Sequence, residues 1–184
     1  MALTHTPEPE IGSLAPDFAL PGIDGGVVHL ADVRGERGLL VMFICAHCPY
    51  VQAIEARLAE DTRELIGVGV GVVAICSNDA IRYPEDSPEK LRAQAARCGF
   101  PFPYLIDESQ DVARAYGAVC TPDFFGYDRD LKLRFRGRLD AAQRGPREDG
   151  MRRELVEAMR DIAERGDTSR EQVPSMGCSI KWRV

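Results

Sequence analysis

Two uninterrupted apolar segments stand out in the pattern of hydrophobic and polar positions along the chain. Residues 39–44 are all apolar, and residues 68–76 contain only apolar side chains and glycines. Runs of this length without polar alternation are typical of strands that are covered on both faces. A shorter run at Tyr104–Ile106 predicts a third strand of the same kind.

Helical spacing is found between these strands. Val51, Ile54 and Leu58 recur at the period of a helix that starts at Pro49, a residue suited to the first helical turn. Residues 88–98 predict a second helix, which a glycine ends. Two further helices are predicted, at residues 109–116 and in the segment that carries Leu155, Met159 and Ile162.

Two turn-rich segments predict β-hairpins. Short apolar stretches flank residues 21–26, and a second pair flanks residues 128–130. Strands and helices thus alternate over the first part of the chain, and an antiparallel hairpin and a closing helix follow. This order predicts an α/β fold with a central mixed β-sheet flanked by helices, an N-terminal β-hairpin extension and a C-terminal tail.

The length of 184 residues favours a single domain over residues 1–184, in which residues 1–12 are loose and residues 166–184 form the tail. The chain has 23 basic and 29 acidic residues, and the resulting net charge of −6 argues against nucleic-acid binding. No apolar run approaches the roughly 20 residues that a membrane helix requires, and the N-terminus has no signal-peptide core. We therefore expect a cytoplasmic protein that binds neither nucleic acid nor membrane.

Six cysteines carry the candidate chemistry of the sequence. Cys45 and Cys48 form a CxxC pair between a predicted buried strand and the start of a helix, where unpaired N–H groups stabilise a thiolate. We predict that Cys45, the more exposed of the two, attacks a disulfide and that Cys48 resolves the mixed disulfide. His47 lies between them and would stabilise the Cys45 thiolate when protonated or through a donated hydrogen bond. Cys76 and Cys98 are expected to be packed thiols.

Metal binding is an alternative, because a CxxC pair is also half of a common zinc site. Zinc is disfavoured, since the sequence contains no second CxxC and no HxxxH. A copper site made of Cys45, Cys48 and a histidine is a further alternative. The context of strand, CxxC and helix favours redox chemistry instead, and the sequence predicts neither a metal nor another cofactor.

Four stretches together resemble the thioredoxin-fold redoxins, specifically the peroxiredoxin-like group of the AhpC/TSA superfamily. They are Phe43–Val51, Tyr83–Ser87, Cys120–Phe125 and Gly177–Trp182. The resemblance implies a thioredoxin-like fold in which the Thr121–Pro122 bond is cis. It also implies that Pro122 packs against the CxxC pair and that its loop receives the backbone of a substrate. Ala46 departs from the group, which usually has asparagine at this position.

Both peroxidases and disulfide exchangers occur in this superfamily. Its peroxidases use a threonine or serine three residues before the reactive cysteine, plus an arginine. Here Met42 stands three residues before Cys45, and no arginine stands immediately before Cys120. The comparison favours thiol–disulfide exchange with a thiol reductant or a disulfide-bearing protein, and a thiol peroxidase that reduces hydroperoxides remains the alternative.

Two of the remaining cysteines have two interpretations each. Cys120 is either a third thiol near the pair, because it lies two residues before Pro122, or a small buried apolar residue. Cys178 is either a resolving cysteine on a mobile tail or part of a tail docked by Ile180 and Trp182.

Overall fold

Strands and helices alternate along the chain in the structure, a computed structural model that describes residues 3–183. The strands are β1 (Leu3–His5), β2 (Ala19–Pro21), β3 (Val27–His29), β4 (Gly38–Phe43), β5 (Val70–Cys76), β6 (Tyr104–Ile106), β7 (Cys120–Thr121), β8 (Asp123–Tyr127), β9 (Leu133–Gly137) and β10 (Met176–Ser179). The helices are α1 (Leu30–Val33), α2 (Pro49–Gln52), α3 (Glu55–Gly67), α4 (Pro88–Cys98), α5 (Asp111–Tyr116) and α6 (Glu154–Arg165), and a 3₁₀ turn covers Pro84–Asp86.

The central sheet has five strands in the order β6-β5-β4-β8-β9. β4, β5 and β6 run parallel, whereas β8 is antiparallel to β4 and β9 is antiparallel to β8. This arrangement confirms the predicted mixed sheet, and the β2–β3 and β8–β9 pairs confirm the two predicted hairpins. Among residues 3–183, no helix is both long and apolar enough to cross a membrane.

β4 lies at the centre of the sheet, and all six of its residues are buried. Leu40 and Met42 belong to the core layer under α3, α4 and α6, while Leu39 and Val41 belong to the layer under α1 and α5. Successive side chains of a strand point to opposite faces, so a strand covered on both faces has apolar residues throughout. The end of β4 therefore holds the following residues in a rigid position.

The helix predicted from Pro49 is divided into two. α2 ends at Gln52 and α3 begins at Glu55. The N–H of Ile54 donates to the carbonyl of Val51, three residues back, so the chain tightens between the two helices. The helix predicted over residues 88–98 is confirmed as α4, and Gly99 ends it in the left-handed conformation.

The two chain ends pair with each other, contrary to the prediction that residues 1–12 are loose. β10 lies between β1 and β7 in an antiparallel three-stranded sheet. Backbone hydrogen bonds from Thr6 to Ser175 and from Gly12 to Leu133 continue the attachment of the N-terminal segment. Local sequence could not predict this, because β1 is stabilised by a partner at the opposite end of the chain. Residues 1, 2 and 184 lie outside the described part.

Candidate active site

The CxxC pair lies where β4 ends and α2 begins. Cys45 follows the last residue of β4 by two positions, and Cys48 is the N-cap residue of α2, with Pro49 in its first turn. Both cysteine side chains are 0% exposed. The greater exposure expected for Cys45 is therefore wrong, because tertiary contacts from a distant loop and from the tail cover both sulfurs.

Thr121 connects the pair to the loop that precedes β8. Its hydroxyl oxygen lies 3.4 Å from the Cys45 sulfur, and its carbonyl oxygen accepts a hydrogen bond from the Cys48 thiol at 3.2 Å. The Thr121–Pro122 peptide bond is cis, as the resemblance implies. The structure thus brings four of the predicted site residues, Cys45, Cys48, Thr121 and Pro122, into one cluster.

Hydrogen bonds around the two sulfurs separate their pKa values. The pKa of Cys48 is lowered to about 4, chiefly by its interaction with the Cys45 thiol. The Thr121 side chain and the Val51 backbone act in the same direction. The interaction between the two thiols, together with burial and the negative charge of Asp86, raises the pKa of Cys45 well above its usual value. The pKa of Cys48 is thus lowered and that of Cys45 raised, so deprotonation of the pair is favoured at Cys48.

Asp86 holds the segment between the two cysteines. Its Oδ1 atom accepts hydrogen bonds from the backbone N–H groups of Ala46 at 2.9 Å and of His47 at 3.1 Å. Its Oδ2 atom lies 2.6 Å from Nδ1 of His47 and accepts a hydrogen bond from Nδ2 of Asn78 at 2.7 Å. The side chain of His47 is therefore committed to Asp86.

This pairing changes the role expected for His47. The hydrogen bond with Asp86 raises the pKa of His47. Burial acts to raise the pKa of Asp86, but hydrogen bonds from His47 and Asn78 hold that pKa below its usual value. Asp86 thus neutralises the charge of a protonated His47. The negative charge of Asp86 itself disfavours a thiolate at Cys45.

Asp86 and Gln94 are site residues that the sequence analysis did not predict. Gln94 donates hydrogen bonds to the carbonyl of Cys45 at 3.2 Å and to Glu55 at 2.8 Å. Asp86 does lie within Tyr83–Ser87, one of the stretches that carry the resemblance. No local pattern assigns it a role, however, because its partner His47 lies 39 residues earlier.

The C-terminal tail brings Cys178, but not Cys120, against the CxxC pair. Cys178 in β10 is paired in register with Thr121 and belongs to the same buried cluster of side chains as Cys45 and Cys48. Burial, followed by the nearby Cys48 sulfur, raises the pKa of Cys178 to about 11. The Cys120 thiol instead donates to the carbonyl of Pro122 at 3.8 Å, and burial raises its pKa.

The tail also reaches the His47–Asp86 pair. The backbone N–H of Lys181 donates to Oδ1 of Asn78 at 2.8 Å. The Lys181 ammonium lies 5.8 Å from the ring centroid of Tyr83, and the Tyr83 ring stacks on His47 with centroids 5.8 Å apart. The tail is therefore docked on both sides of the site.

The comparisons with known proteins agree with this geometry. A model of the AhpC/TSA family matches residues 11–136, more than half of the chain. The chain belongs to the AhpC/TSA family. It is 32% identical to peroxiredoxin Bcp of Escherichia coli over 126 residues, which cover 67% of this chain and 76% of that protein. It is 30% identical over 131 residues to thiol-disulfide oxidoreductase ResA of Geobacillus thermodenitrificans, with 67% of each chain covered.

Solved structures extend this likeness to the whole fold. An uncharacterized conserved protein from Geobacillus kaustophilus is 43% identical and has a TM-score of 0.93, with 100% of this chain and 97% of that chain covered. A thiol:disulfide interchange protein of the thioredoxin family from Chlorobium tepidum is 17% identical, with a TM-score of 0.61 over 82% of this chain and 97% of its own. These likenesses confirm the thioredoxin-like fold.

This AhpC/TSA chain departs from the peroxidase pattern around its thiols. Met42, three residues before Cys45, is buried in β4 and offers no hydroxyl. The Thr121 hydroxyl reaches Cys45 from another strand instead. Among residues 3–183, no arginine donates a hydrogen bond to either thiol, and Arg136 near this loop is paired with Asp123 at 2.8 Å.

The remaining thiols and the ligand set agree with a redox site better than with a metal site. Cys76 is buried and Cys98 partly buried, and burial raises the pKa of both, that of Cys98 to about 11. Ligand atoms of Cys45, His47 and Asp86 lie within 4.8 Å of one another. Both oxygens of Asp86 already accept hydrogen bonds. A cation bound by these three side chains would have to displace those hydrogen bonds.

Proposed function

We propose that this protein is a thiol–disulfide oxidoreductase that uses the Cys45–Cys48 pair. The observation that carries the proposal is the position of the two cysteines at the start of α2, where Thr121 contacts both sulfurs and the pKa of Cys48 is lowered. A thiolate with a neighbouring thiol can attack a disulfide and then be released by internal disulfide formation. The name of the relative ResA, a thiol-disulfide oxidoreductase, supports the same chemistry.

The reaction moves two electrons and two protons from the pair to the substrate disulfide. One sulfur of the pair attacks, and a mixed disulfide forms as the first substrate thiol leaves. The other sulfur then attacks the mixed disulfide and releases the second thiol, which leaves a Cys45–Cys48 disulfide. Because the pKa of Cys48 is lowered and that of Cys45 is raised, the order predicted from sequence, in which Cys45 attacks, requires a direct test.

The residues around the pair have supporting roles in this proposal. Thr121 holds both sulfurs through its hydroxyl and carbonyl groups. An apolar cleft that Tyr50, Phe124, Leu139 and Met176 share with Pro122 offers a landing surface beside the pair. The proposed partner is a small thiol reductant or a disulfide-bearing protein. We place the reaction in the cytoplasm, where reducing conditions keep thiols reduced.

One observation favours a thiol peroxidase as a second candidate. Both reactive sulfurs are enclosed, and a hydroperoxide, which is smaller than a disulfide-bearing partner, reaches an enclosed sulfur more readily. The Thr121 hydroxyl at 3.4 Å from Cys45 could donate to a peroxide oxygen. The missing arginine contact argues against a fast reaction, because a developing oxyanion needs positive charge or strong donors.

Two rate measurements on the fully reduced protein test the proposal. The first follows the reaction with oxidised glutathione, and the second follows the reaction with hydrogen peroxide under the same conditions. We expect the protein to react with the disulfide faster than a free thiol does. We expect its rate of peroxide consumption to stay near that of a free thiolate. A peroxide reaction faster by orders of magnitude would replace the proposed function with the peroxidase.

Trapping assigns the order of the two thiols. In Cys48→Ser a mixed disulfide accumulates on Cys45 if Cys45 attacks. In Cys45→Ser/Cys178→Ser, which also lacks the thiol opposite Thr121, it accumulates on Cys48 if Cys48 attacks. Isolation of the adducts by mass spectrometry distinguishes these outcomes. If neither variant accepts an adduct and the wild type forms no internal disulfide, the pair is not a redox site.

A further inference from the structure

The C-terminal tail presents a third thiol to the CxxC pair through strand pairing. Cys178 lies directly opposite Thr121 in the antiparallel β10–β7 pair. Residues opposite each other on antiparallel strands project their side chains to the same face. The Thr121 side chain reaches Cys45 on that face, so Cys178 is directed to the same sulfur cluster.

Gly177 allows this close approach. A Cβ atom at this position would lie 2.6 Å from the carbonyl carbon of Thr121 and 3.1 Å from the nitrogen of Pro122. Only glycine lets the tail pack so tightly against the cis-proline loop. The neighbouring Ser175 adds a hydrogen bond to the carbonyl of Pro122 at 2.7 Å. Cys178 is thus held in a defined position.

The three thiols lie in one buried cluster of side chains. Thr121, the residue opposite Cys178, contacts the sulfurs of both Cys45 and Cys48, and the Cys48 sulfur influences the pKa of each of the other two thiols. Cys178 is buried, with 4% of its surface exposed, so its accessible reaction partner is inside the protein. The family match ends at residue 136, well before this cysteine.

We propose that Cys178 is a third redox-active cysteine, which exchanges with the Cys45–Cys48 disulfide to form a second internal disulfide, Cys48–Cys178. This inference rests on the proposed function, because it begins from the disulfide that the proposed reaction leaves. It assigns to the tail a covalent role in the redox cycle.

The exchange is balanced within the protein. The Cys178 sulfur, after losing its proton, attacks the Cys48 sulfur of the Cys45–Cys48 disulfide. The Cys48–Cys178 bond forms, the Cys45–Cys48 bond breaks, and Cys45 leaves as a thiolate that takes up the proton. The number of disulfides is unchanged, so no further oxidant or reductant is needed.

The consequence is a free Cys45 in an oxidised protein. Formation of the Cys48–Cys178 bond ties the tail to the N-terminus of α2 and returns a nucleophilic sulfur to the site. Cys45 can then attack a second disulfide while the first oxidation is stored on the tail. The pair and the tail together would therefore carry the oxidation through two successive internal disulfides.

Tryptic digestion separates these disulfides clearly. Cys45 and Cys48 share the peptide 38–57, whereas Cys178 is the single cysteine of peptide 171–181 and Cys120 that of peptide 115–129. A Cys45–Cys48 bond stays within one peptide, and a Cys48–Cys178 bond joins two. The experiment treats reduced Cys45→Ser with oxidised glutathione, blocks free thiols with an alkylating agent in acid, and maps the disulfides without reduction.

We expect the Cys45→Ser protein to join peptides 38–57 and 171–181, because Cys178 displaces glutathione from Cys48. In Cys45→Ser/Cys178→Ser the glutathione adduct on Cys48 should persist and the joined peptides should be lost. Cys45→Ser/Cys120→Ser is the matched control and should retain the joined peptides. The oxidised wild-type protein should contain both the internal bond of peptide 38–57 and the joined peptides.

Two outcomes separate this inference from the proposed function. A wild type that forms only the Cys45–Cys48 bond, with a stable glutathione adduct in Cys45→Ser, overturns the role of Cys178 and leaves the exchange reaction intact. A wild type that forms neither bond and exchanges no faster than a free thiol overturns the proposed function as well. Cys45→Ala repeats the mapping in case the serine variant does not fold.

Discussion

The carboxylate of Asp86 lies 2.6 Å from Nδ1 of His47 and also accepts the backbone N–H of that residue at 3.1 Å. One side chain thereby fixes both the backbone and the ring of the residue between the two cysteines. Asn78 contacts the same carboxylate and the tail at Lys181. The loop between the cysteines and the C-terminal tail are thus connected through two side chains.

Removing the Asp86 carboxylate should lower both the pKa of His47 and the stability of the protein. Asp86→Ala leaves two backbone N–H groups and the His47 ring without an acceptor and should cost about 3–5 kcal/mol of unfolding free energy. Asp86→Asn keeps an acceptor oxygen and should cost less, yet it should still lower the pKa of His47. Titration of the His47 ring protons by NMR and urea unfolding measure the two effects.

The stability effect of Asp86→Ala should depend on pH. A raised pKa of His47 means that its protonated form stabilises the fold below its usual pKa near 6.5, and that this contribution is lost as the pH rises through the folded value. The lowered pKa of Asp86 means that its contribution is lost as the pH falls below about 4. The destabilisation should therefore be larger at about pH 5 than at about pH 8, and an equal loss at both would contradict the pairing.

The thiol of Cys45 should control the pKa of Cys48. Its hydrogen bond is the main cause that lowers the pKa of Cys48 to about 4. Cys45→Ala removes the donor and should raise the pKa of Cys48, whereas Cys45→Ser retains an O–H donor and should keep that pKa low. The ultraviolet absorbance of the thiolate as a function of pH measures the pKa of Cys48. The absorbance change that is lost in Cys48→Ser is the one that belongs to Cys48. Equal titration of the two Cys45 variants would disprove the assignment.

A methyl group at Gly177 should release the tail from the site. Gly177→Ala places a Cβ atom 2.6 Å from the carbonyl carbon of Thr121, so β10 must move away from β7 and uncover the sulfurs. Each 1.4 kcal/mol of lost tail binding raises the open population about tenfold. We expect the alkylation rate of Cys48 in the reduced protein to rise by at least about tenfold.

Gly67→Ala is the control for this measurement, because a Cβ atom there meets no atom within 4 Å. Its alkylation rate should equal that of the wild type. An unchanged rate in Gly177→Ala would mean that the tail does not limit access to the pair.

The buried ion pair of Arg136 and Asp123 should be a main contributor to the stability of the cis-proline loop. The guanidinium donates to Asp123 at 2.8 Å and to the carbonyl of Gly117 at 2.8 Å, and both charged side chains are buried. Arg136→Ala leaves the Asp123 carboxyl group buried without its partner and should cost about 3–5 kcal/mol. Arg138→Ala breaks a more exposed pair with Glu154 and should cost about 0–1 kcal/mol. Denaturant unfolding compares them, and similar losses would contradict the argument.

The elements that depend on local pattern could be predicted from sequence. The apolar run that forms β4, the proline and glycine that bound α4, and the CxxC pair at a strand-to-helix junction all have nearby signals. The order of strands and helices along the chain and their hydrophobic periodicity were sufficient to predict the mixed α/β sheet. Strands and helices with one buried face have few ways to pack. The resemblance added the cis bond before Pro122.

The protonation and enclosure of the site were decided by tertiary structure alone. The sequence predicted that Cys45 is the more exposed of the two cysteines and that His47 stabilises its thiolate. The fold instead brings Asp86 to His47 and the β10 strand to Thr121, from positions far along the chain. Which sulfur holds the negative charge depends on hydrogen bonds and burial over a few ångströms. Such distances between distant segments follow from packing, and a linear pattern of residues does not contain them.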